Sequence, residues 1–166
     1  MYIINFLVLN HSLLLFQNLS AIIPISIKTC CYYSDSRVYR RIPVRIMGAY
    51  HEPPDPILVP EQTEKLVAEF VGNKKMHPIE RAALFHLKFE GVHPFVDGNG
   101  RTGRLIMNLM LMQAGYPPIN VKYSDRKRYY EAFDGYYRDN SSANMISIIT
   151  EELTHRLKMY CFITKE

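Results

Sequence analysis

The run HPFVDGNGRTGR, from His93 to Arg104, gathers side chains and glycines that could act together on a phosphate. Gly98 and Gly100 can adopt positive φ values, which line up successive backbone N–H groups into an anion-binding concavity. A helix predicted to begin near Arg101 adds unpaired N–H donors and the positive end of its dipole. Arg101 and Arg104 share one helical face beside this concavity, where two guanidiniums suit a di- or triphosphate. The run therefore predicts a phosphate site.

Two other side chains in the same run, His93 and Asp97, could supply the chemistry. A carboxylate beside an anion site is expected where it holds a cation, and Mg²⁺ is usually bound by one carboxylate together with substrate phosphates. His93 lies four residues before Asp97 and titrates near neutral pH, so it could take a proton from an attacking hydroxyl. A base, a metal ligand, an anion-binding loop and two arginines thus fall within one short stretch.

The same stretch also satisfies G-x-G-x-x-G, the fingerprint of dinucleotide-binding folds. Such a loop must follow a strand and open the helix of a βαβ unit. Here the preceding segment has a helical pattern, and no βαβ alternation surrounds it. Asp125 lies at a suitable distance for a ribose-binding acid, but at a predicted helix start. The sequence therefore disfavours a Rossmann fold.

The elements that position the loop are predicted to be mostly helical. Apolar residues recur at helical spacing in segments that open at Pro60, at Pro78 and at Ser124, the last as an N-cap, and in a C-terminal segment around Leu153. RLIMNLMLMQAGYPP, directly after the loop, is apolar almost all round, which predicts a buried central helix. The segment from residue 38 to 56 alternates polar and apolar side chains and ends in EPPDP, which predicts a strand or hairpin followed by an extended loop.

Length and composition fit one cytoplasmic globular domain. The chain has 166 residues, 48% of them hydrophobic and 22% charged. Its three cysteines form no disulfide or zinc pattern, which favours a reducing cytoplasm. Two basic groups, around Arg40 and Arg126, suit solvated faces, an anion site or a nucleic-acid patch, and no nucleic acid is expected as a partner.

The stretch from Met1 to Ile27 has no charged side chain. Polar residues interrupt it, no basic segment precedes it, and no signal-peptide cleavage pattern closes it. A membrane role is therefore disfavoured against a buried or poorly packed terminal helix.

The motif itself resembles that of the Fic family, H-P-F-x-[DE]-G-N-G-R-x-x-R, with every fixed position filled. YRRIPVRIMGAYHEPP is similar to the family's flap hairpin, and HPIERAALFHLKFEGVHPF is similar to the helix that leads into the motif. The likeness covers about Val38 to Leu157. It implies a mainly α, Fic-type domain at residues 38–166, with one β-hairpin flap and the motif loop leading into a buried central helix. Residues 1–37 do not resemble the family's charged, helical lead-in, and we expect an atypical segment in its place, as in a truncated or frame-disrupted member.

The resemblance implies a protein adenylyltransferase, which transfers AMP from ATP to a hydroxyl side chain of a target protein. His93 would be the general base that deprotonates a Ser, Thr or Tyr, and Asp97 would hold Mg²⁺ across the α- and β-phosphates. The flap, roughly Pro43 to His51, would dock the target as an added strand. The implied nucleotide-binding residues are Gly98, Asn99, Gly100, Arg101, Thr102, Gly103, Arg104, Tyr129 and Tyr130.

Within that set the implied roles differ. Gly98, Asn99 and Gly100 would cradle phosphate oxygens, and the two arginines of the motif would neutralise the β/γ end of the triphosphate. The two adjacent tyrosines either line the nucleoside pocket or pack in the core at helical spacing.

The family's inhibitory helix, [ST]-x-x-x-E-[GN], has no clear counterpart. Its Glu pairs with the second motif arginine and blocks the γ-phosphate, but the chain has no Glu before residue 38. The nearest C-terminal match, Ser147 to Glu152, ends in Glu rather than Gly or Asn. We therefore predict that Arg104 is free for the nucleotide and that the chain is active without a release step.

Two alternatives keep the fold and change the function. Doc-like relatives bind ATP in reverse and phosphorylate their target, but their loop reads G-N-K-R where this chain has Gly100 before Arg101. A truncated, non-catalytic remnant would only bind nucleotide or protein, and the intact His93 argues against it.

Overall fold

The structure is a computed structural model that describes residues 39–70, 73 and 75–163. The predicted boundary at residue 37 and the predicted N-terminal helix therefore lie outside the described residues. No helix in the described part of the chain has the length and apolar character needed to cross a membrane.

The described residues form five α-helices and two short 3₁₀ turns, and they contain no β-strand. The mainly helical architecture predicted from the sequence is confirmed. The 3₁₀ turns lie at Pro56–Leu58 and Tyr123–Asp125. The helices are α1 (Val59–Phe70), α2 (Pro78–Val92), α3 (Asn99–Gln113), α4 (Arg126–Asp139) and α5 (Ala143–Ile163).

Local signals account for some of the helix ends. Before α2, the His77 side chain accepts a hydrogen bond from the Ile79 N–H, and Pro78 occupies the first turn, where its missing N–H costs nothing. Gly115, with φ of 85°, follows the end of α3. The predicted Ser124 N-cap is wrong: Ser124 lies inside a 3₁₀ turn, and α4 begins two residues later.

Helix α2 is the centre of the fold, because it packs against α1, α3 and α5. Its buried apolar side chains include Phe85, Leu87 and Phe89. Helix α3 is buried along one face only, with Leu105 47% and Met112 48% exposed. The prediction that α3 is the buried central helix is therefore wrong, because α2 takes the central position. An apolar sequence does not determine which helix is surrounded by the others.

The segment between residues 41 and 55 is irregular and carries one turn. The Ala49 N–H donates to the Ile46 carbonyl at 3.2 Å, and Gly48 has φ of 77°. The arms bond to helices rather than to each other: the Tyr50 N–H donates to Asp134 Oδ1 at 3.0 Å on α4. The predicted β-hairpin is therefore not confirmed, because the turn is present while paired strands are absent from the described residues.

Candidate active site

A cavity of about 470 Å³ lies between the turn at residues 46–51, the end of α2, the start of α3 and one face of α4. This volume is in the range of small-molecule sites. Residues predicted from the sequence to bind nucleotide or act as base that line this cavity are His93, Gly100, Arg104, Tyr129 and Tyr130. The tertiary fold thus brings together five of the predicted site residues from α2, α3 and α4.

His93 ends α2 in a left-handed conformation, with φ of 49° and ψ of 61°. A non-glycine residue held there costs roughly 1–2 kcal/mol. Its ring Nδ1 lies 3.2 Å from the Glu90 carbonyl oxygen, which can only accept, so Nδ1 carries the hydrogen. The ring's other nitrogen, Nε2, is therefore the proton acceptor in the neutral form.

The pKa of His93 is lowered, first by burial and also by the Arg40 charge, against the raising effect of the hydrogen bond to Glu90. The neutral imidazole consequently predominates at neutral pH. A neutral ring with a free Nε2 on a cavity wall is what a general base requires.

The start of α3 supplies the anion-binding end of the cavity. Gly98 precedes the helix with φ of 88°, and the N–H groups of the first turn have no intrahelical acceptor. A Cβ on Gly100 would lie 3.2 Å from the Arg104 Nη1 atom, so glycine keeps backbone and guanidinium close together. Backbone donors and Arg104 thus converge at the positive end of the α3 dipole.

Asn99 holds the loop closed through its side chain. Its Nδ2 donates to the Phe95 carbonyl at 2.8 Å, its Oδ1 accepts from the Phe95 N–H at 2.9 Å, and the residue is 2% exposed. The side chain that the sequence assigns to the phosphate cradle is therefore occupied in shaping the loop, which leaves the backbone of Asn99 for a ligand.

Thr102 and Gly103 do not line the cavity. Thr102 is 6% exposed, and its N–H bonds to the Gly98 carbonyl at 2.9 Å within the helix. Gly103 faces α2, where an added Cβ would lie 2.7 Å from both Glu90 Oε1 and His86 Nδ1. The structure thus places Gly103 at the closest approach of α2 and α3 rather than on a nucleotide.

Asp97 and Arg101 lie on the surface beside the cavity. The Asp97 side chain is 82% exposed, and its Oδ2 lies 2.9 Å from Arg101 Nη2. Within the described ranges, no cluster of three or more His, Cys, Asp or Glu side chains could hold a metal ion. A single exposed carboxylate fits Mg²⁺ only when substrate phosphates supply further ligands.

Sequence reasoning missed a buried polar cluster formed by His86, Glu90, Arg104 and Tyr129. His86 is fully buried and its Nε2 pairs with the Tyr129 hydroxyl. Burial lowers the pKa of His86 to about 3, with a further contribution from the Arg104 charge. The sequence does contain a signal for this cluster: His86 and Glu90 lie four residues apart, which places them on one face of α2.

Glu90 contributes a largely buried carboxyl group to this cluster. Its side chain is 14% exposed, and its Oε1 has no hydrogen-bond partner. Burial raises its pKa to about 7, although the Arg104 charge lowers it. The expectation that Arg104 has no glutamate partner is therefore incomplete, because Glu90 shares its surroundings.

The two tyrosines of α4 take different positions on the cavity wall. Tyr129 is 7% exposed and contacts the core as well as the cavity, whereas Tyr130 is 52% exposed at the rim. The Arg126 guanidinium lies over the Tyr130 ring at 5.5 Å from its centroid. Core packing therefore applies to Tyr129 and not to Tyr130, and a nucleoside pocket lined by these tyrosines stays a prediction.

The candidate inhibitory glutamate of α5, Glu151, is engaged elsewhere. Both of its carboxylate oxygens accept hydrogen bonds from the Arg128 guanidinium, and Ser147 donates a third at 2.7 Å. These hydrogen bonds lower the pKa of Glu151. The structure therefore pairs this carboxylate with α4 rather than with Arg104.

The amino-acid sequence of this chain is similar to proteins of one known family. A family model described as Fic/DOC family matches residues 11–111. The chain is 47% identical over 87 residues to "Protein adenylyltransferase Fic" of Nematostella vectensis. The matched region covers 49% of this chain and 19% of that protein. The chain therefore spans about a fifth of the length of this relative. The family match begins inside the segment 1–37, and the predicted domain boundary remains a prediction.

Two solved structures share the fold. Fic-1 (residues 134–508) from C. elegans matches with a TM-score of 0.68 and 30% identity, over 78% of this chain and 38% of that one. BepC from Bartonella tribocorum, solved with bound AMPPNP, matches with a TM-score of 0.65 over 80% of this chain and 72% of that one. At 16% identity the second likeness shows the fold alone.

Proposed function

The chain belongs to the Fic/DOC family, and from that premise we propose that it transfers AMP from ATP to a hydroxyl side chain of a target protein. The observation that carries the proposal is the state of His93. Its Nδ1–H is used on the Glu90 carbonyl, and its pKa is lowered by burial, so a neutral Nε2 remains as base on the cavity wall. Such a base suits removal of a proton from a Ser, Thr or Tyr hydroxyl.

In the proposed reaction the acceptor O–H proton moves to His93 Nε2 while the oxygen forms a bond to the α-phosphorus of ATP. The bond between that phosphorus and the oxygen bridging to the β-phosphate breaks, and pyrophosphate leaves. The negative charge that builds on the leaving group would be taken up by Arg104 and by the N–H groups at the start of α3.

Asp97 would hold Mg²⁺ together with the substrate phosphates, and the ion would supply charge neutralisation at the triphosphate. For this, the carboxylate must give up its ion pair with Arg101, which is exposed and therefore weak. Arg101 could then contact the substrate phosphates, because it shares one face of α3 with Arg104.

The acceptor would reach the base across the turn at residues 46–51. This turn lines the same cavity as His93 and is tied to α4 by the hydrogen bond from the Tyr50 N–H to Asp134. The His51 ring stacks on Tyr137, with centroids 3.8 Å apart, and donates from Nε2 to the Gly91 carbonyl at 3.1 Å. An extended target segment could add its backbone to the exposed arm before this turn.

The test is incubation of the purified protein with adenine-labelled ATP, Mg²⁺ and cell lysate, with His93→Ala as the matched control. We expect label in protein bands with the wild type and a rate of labelling lower by roughly two to four orders of magnitude with the variant. Mass spectrometry of the labelled protein must show an added AMP. An added phosphate would instead establish Doc-like phosphorylation, and absence of both would indicate a non-catalytic remnant.

A further inference from the structure

Arg40 is a buried arginine whose guanidinium contacts backbone carbonyls on two sides of the fold. The residue is 2% exposed. Its Nε donates to the His93 carbonyl at 2.9 Å, and Nη1 donates to the Ile42 carbonyl at 3.2 Å. Nη2 donates to the Pro54 carbonyl and makes a longer contact of 3.5 Å to the Val92 carbonyl. The planar fork of arginine allows this, whereas the single ammonium of lysine cannot reach such a set.

The acceptors fall into two groups with different locations. Val92 and His93 end α2, where the last carbonyls lack intrahelical partners and a positive charge is favourable. Ile42 and Pro54 flank the loop that carries the turn at residues 46–51. One guanidinium therefore joins both ends of that loop to the end of the helix that carries the candidate base.

Arg40 holds the main chain on the C-terminal side of His93. Besides the bond to the His93 carbonyl, the Arg40 backbone N–H donates to the Pro94 carbonyl at 2.9 Å. These two bonds restrain the peptide that follows a residue in the left-handed conformation, and the direction of the His93 ring depends on that conformation. Loss of the bonds would let the base move relative to the cavity.

We propose that Arg40 is a positioning residue that holds His93 and the target-docking turn in register for AMP transfer. The proposal rests on the function proposed above and adds a residue outside the motif to it. Arg40 does not touch the cavity, so it acts through His93 and through the ends of the loop. A displacement of the base of about 1 Å can lower a rate roughly a hundredfold without changing how the nucleotide binds.

Electrostatics provide a readout that a purely structural role would not change. Among the described residues, the ionisable groups whose electrostatics couple to Arg40 are the His93 ring and the Asp55 carboxylate. The Arg40 charge lowers the pKa of His93, so removal of the charge should raise that pKa. The acid limb of the pH–rate profile should then move to higher pH, because more of His93 is protonated at a given pH.

The experiment compares Arg40→Met and Arg40→Lys with Arg41→Met, which makes the same change at the exposed neighbouring arginine. Automodification with labelled ATP is measured from pH 5 to 9, per folded molecule as judged by circular dichroism. For Arg40→Met we expect kcat to fall by about 10- to 100-fold, KM for ATP to change less than about twofold, and the acid limb to move upward. Arg40→Lys should restore the acid limb but not the rate, and Arg41→Met should match the wild type.

Unchanged kcat and an unchanged acid limb in both Arg40 variants would overturn the proposal and leave Arg40 a stability residue. If Arg40→Met does not fold, Arg40→Lys decides alone, since a wild-type rate there would show that the fork is dispensable. If the wild type itself transfers no AMP, the proposed function fails, and NMR titration of the His93 ring still tests Arg40. A raised His93 pKa in Arg40→Met, but not in Arg41→Met, would support the coupling, and equal pKa values would overturn it.

Discussion

Glu90→Gln removes a largely buried carboxyl from the wall of the cavity, and its effect on stability should depend on pH. The Glu90 side chain is 14% exposed, its Oε1 has no hydrogen-bond partner, and burial raises its pKa from 4.5 to about 7. Glutamine has nearly the same shape as the protonated carboxyl but cannot ionise. The variant therefore isolates the free energy required to keep a charge at this position.

The magnitude follows from the difference between the two pKa values. One pKa unit corresponds to 1.36 kcal/mol, so the rise from 4.5 to about 7 corresponds to roughly 3 kcal/mol of unfolding free energy. Because the pKa is higher in the folded state, the favourable contribution is complete below pH 4.5 and is lost as the pH rises through 7. Glu90→Gln should consequently equal the wild type near pH 4.5 and exceed it by roughly 3 kcal/mol at pH 8. For a domain of this size, that corresponds to a rise in Tm of about 6–12 °C.

The assay is urea unfolding followed by circular dichroism at several pH values between 4.5 and 8. The matched control is Glu131→Gln, which removes an exposed carboxyl on α4 and should show little pH-dependent change. Protonation of buried His86 at low pH destabilises wild type and variant alike, so it cancels in the difference. A difference that stays constant with pH, or a variant that is less stable at pH 8, would refute the reasoning.

Four further outcomes are expected. His93→Ala should lower AMP transfer by roughly two to four orders of magnitude while ATP binding, measured by calorimetry, stays near wild type; near-normal labelling would contradict its role as base. Asp97→Ala should raise the Mg²⁺ concentration needed for half-maximal transfer, and an unchanged titration would leave Asp97 a surface partner of Arg101. Gly103→Ala should lower the free energy of unfolding, measured by urea denaturation, by about 1–3 kcal/mol, because its Cβ would lie 2.7 Å from Glu90 and His86 atoms. The control is Gly135→Ala, which should be neutral or stabilising because its Cβ would lie 3.6 Å from the Asn144 side chain. Glu151→Gly should leave automodification unchanged, because Arg128 holds that carboxylate; a large rise would show that α5 inhibits.

The motif and the helices were predictable from the sequence because their signals are local. Pro78 at a helix start, Gly115 after a helix end and apolar residues at helical spacing act through neighbours a few positions away. The same holds for the loop, since Gly98 adopts the positive φ that its residue type permits. The twelve-residue motif accordingly indicated the family, and it contains three of the five predicted residues that line the cavity, His93, Gly100 and Arg104.

Pairings between distant segments were decided by the tertiary structure. In the sequence, nothing distinguishes Arg40 from the other basic residues near it. The fold brings its guanidinium to the His93 carbonyl, 53 positions away. Likewise, His86 meets Tyr129 across 43 positions, and burial in the folded chain raises the pKa of Glu90 to about 7. The alternation around Val44 predicted a strand, but a strand needs a partner, and in the described residues this segment bonds to α2 and α4 instead. Side-chain type and local spacing determine which residues could do the chemistry, whereas burial and long-range hydrogen bonds, which no local pattern encodes, determine their protonation and their positions.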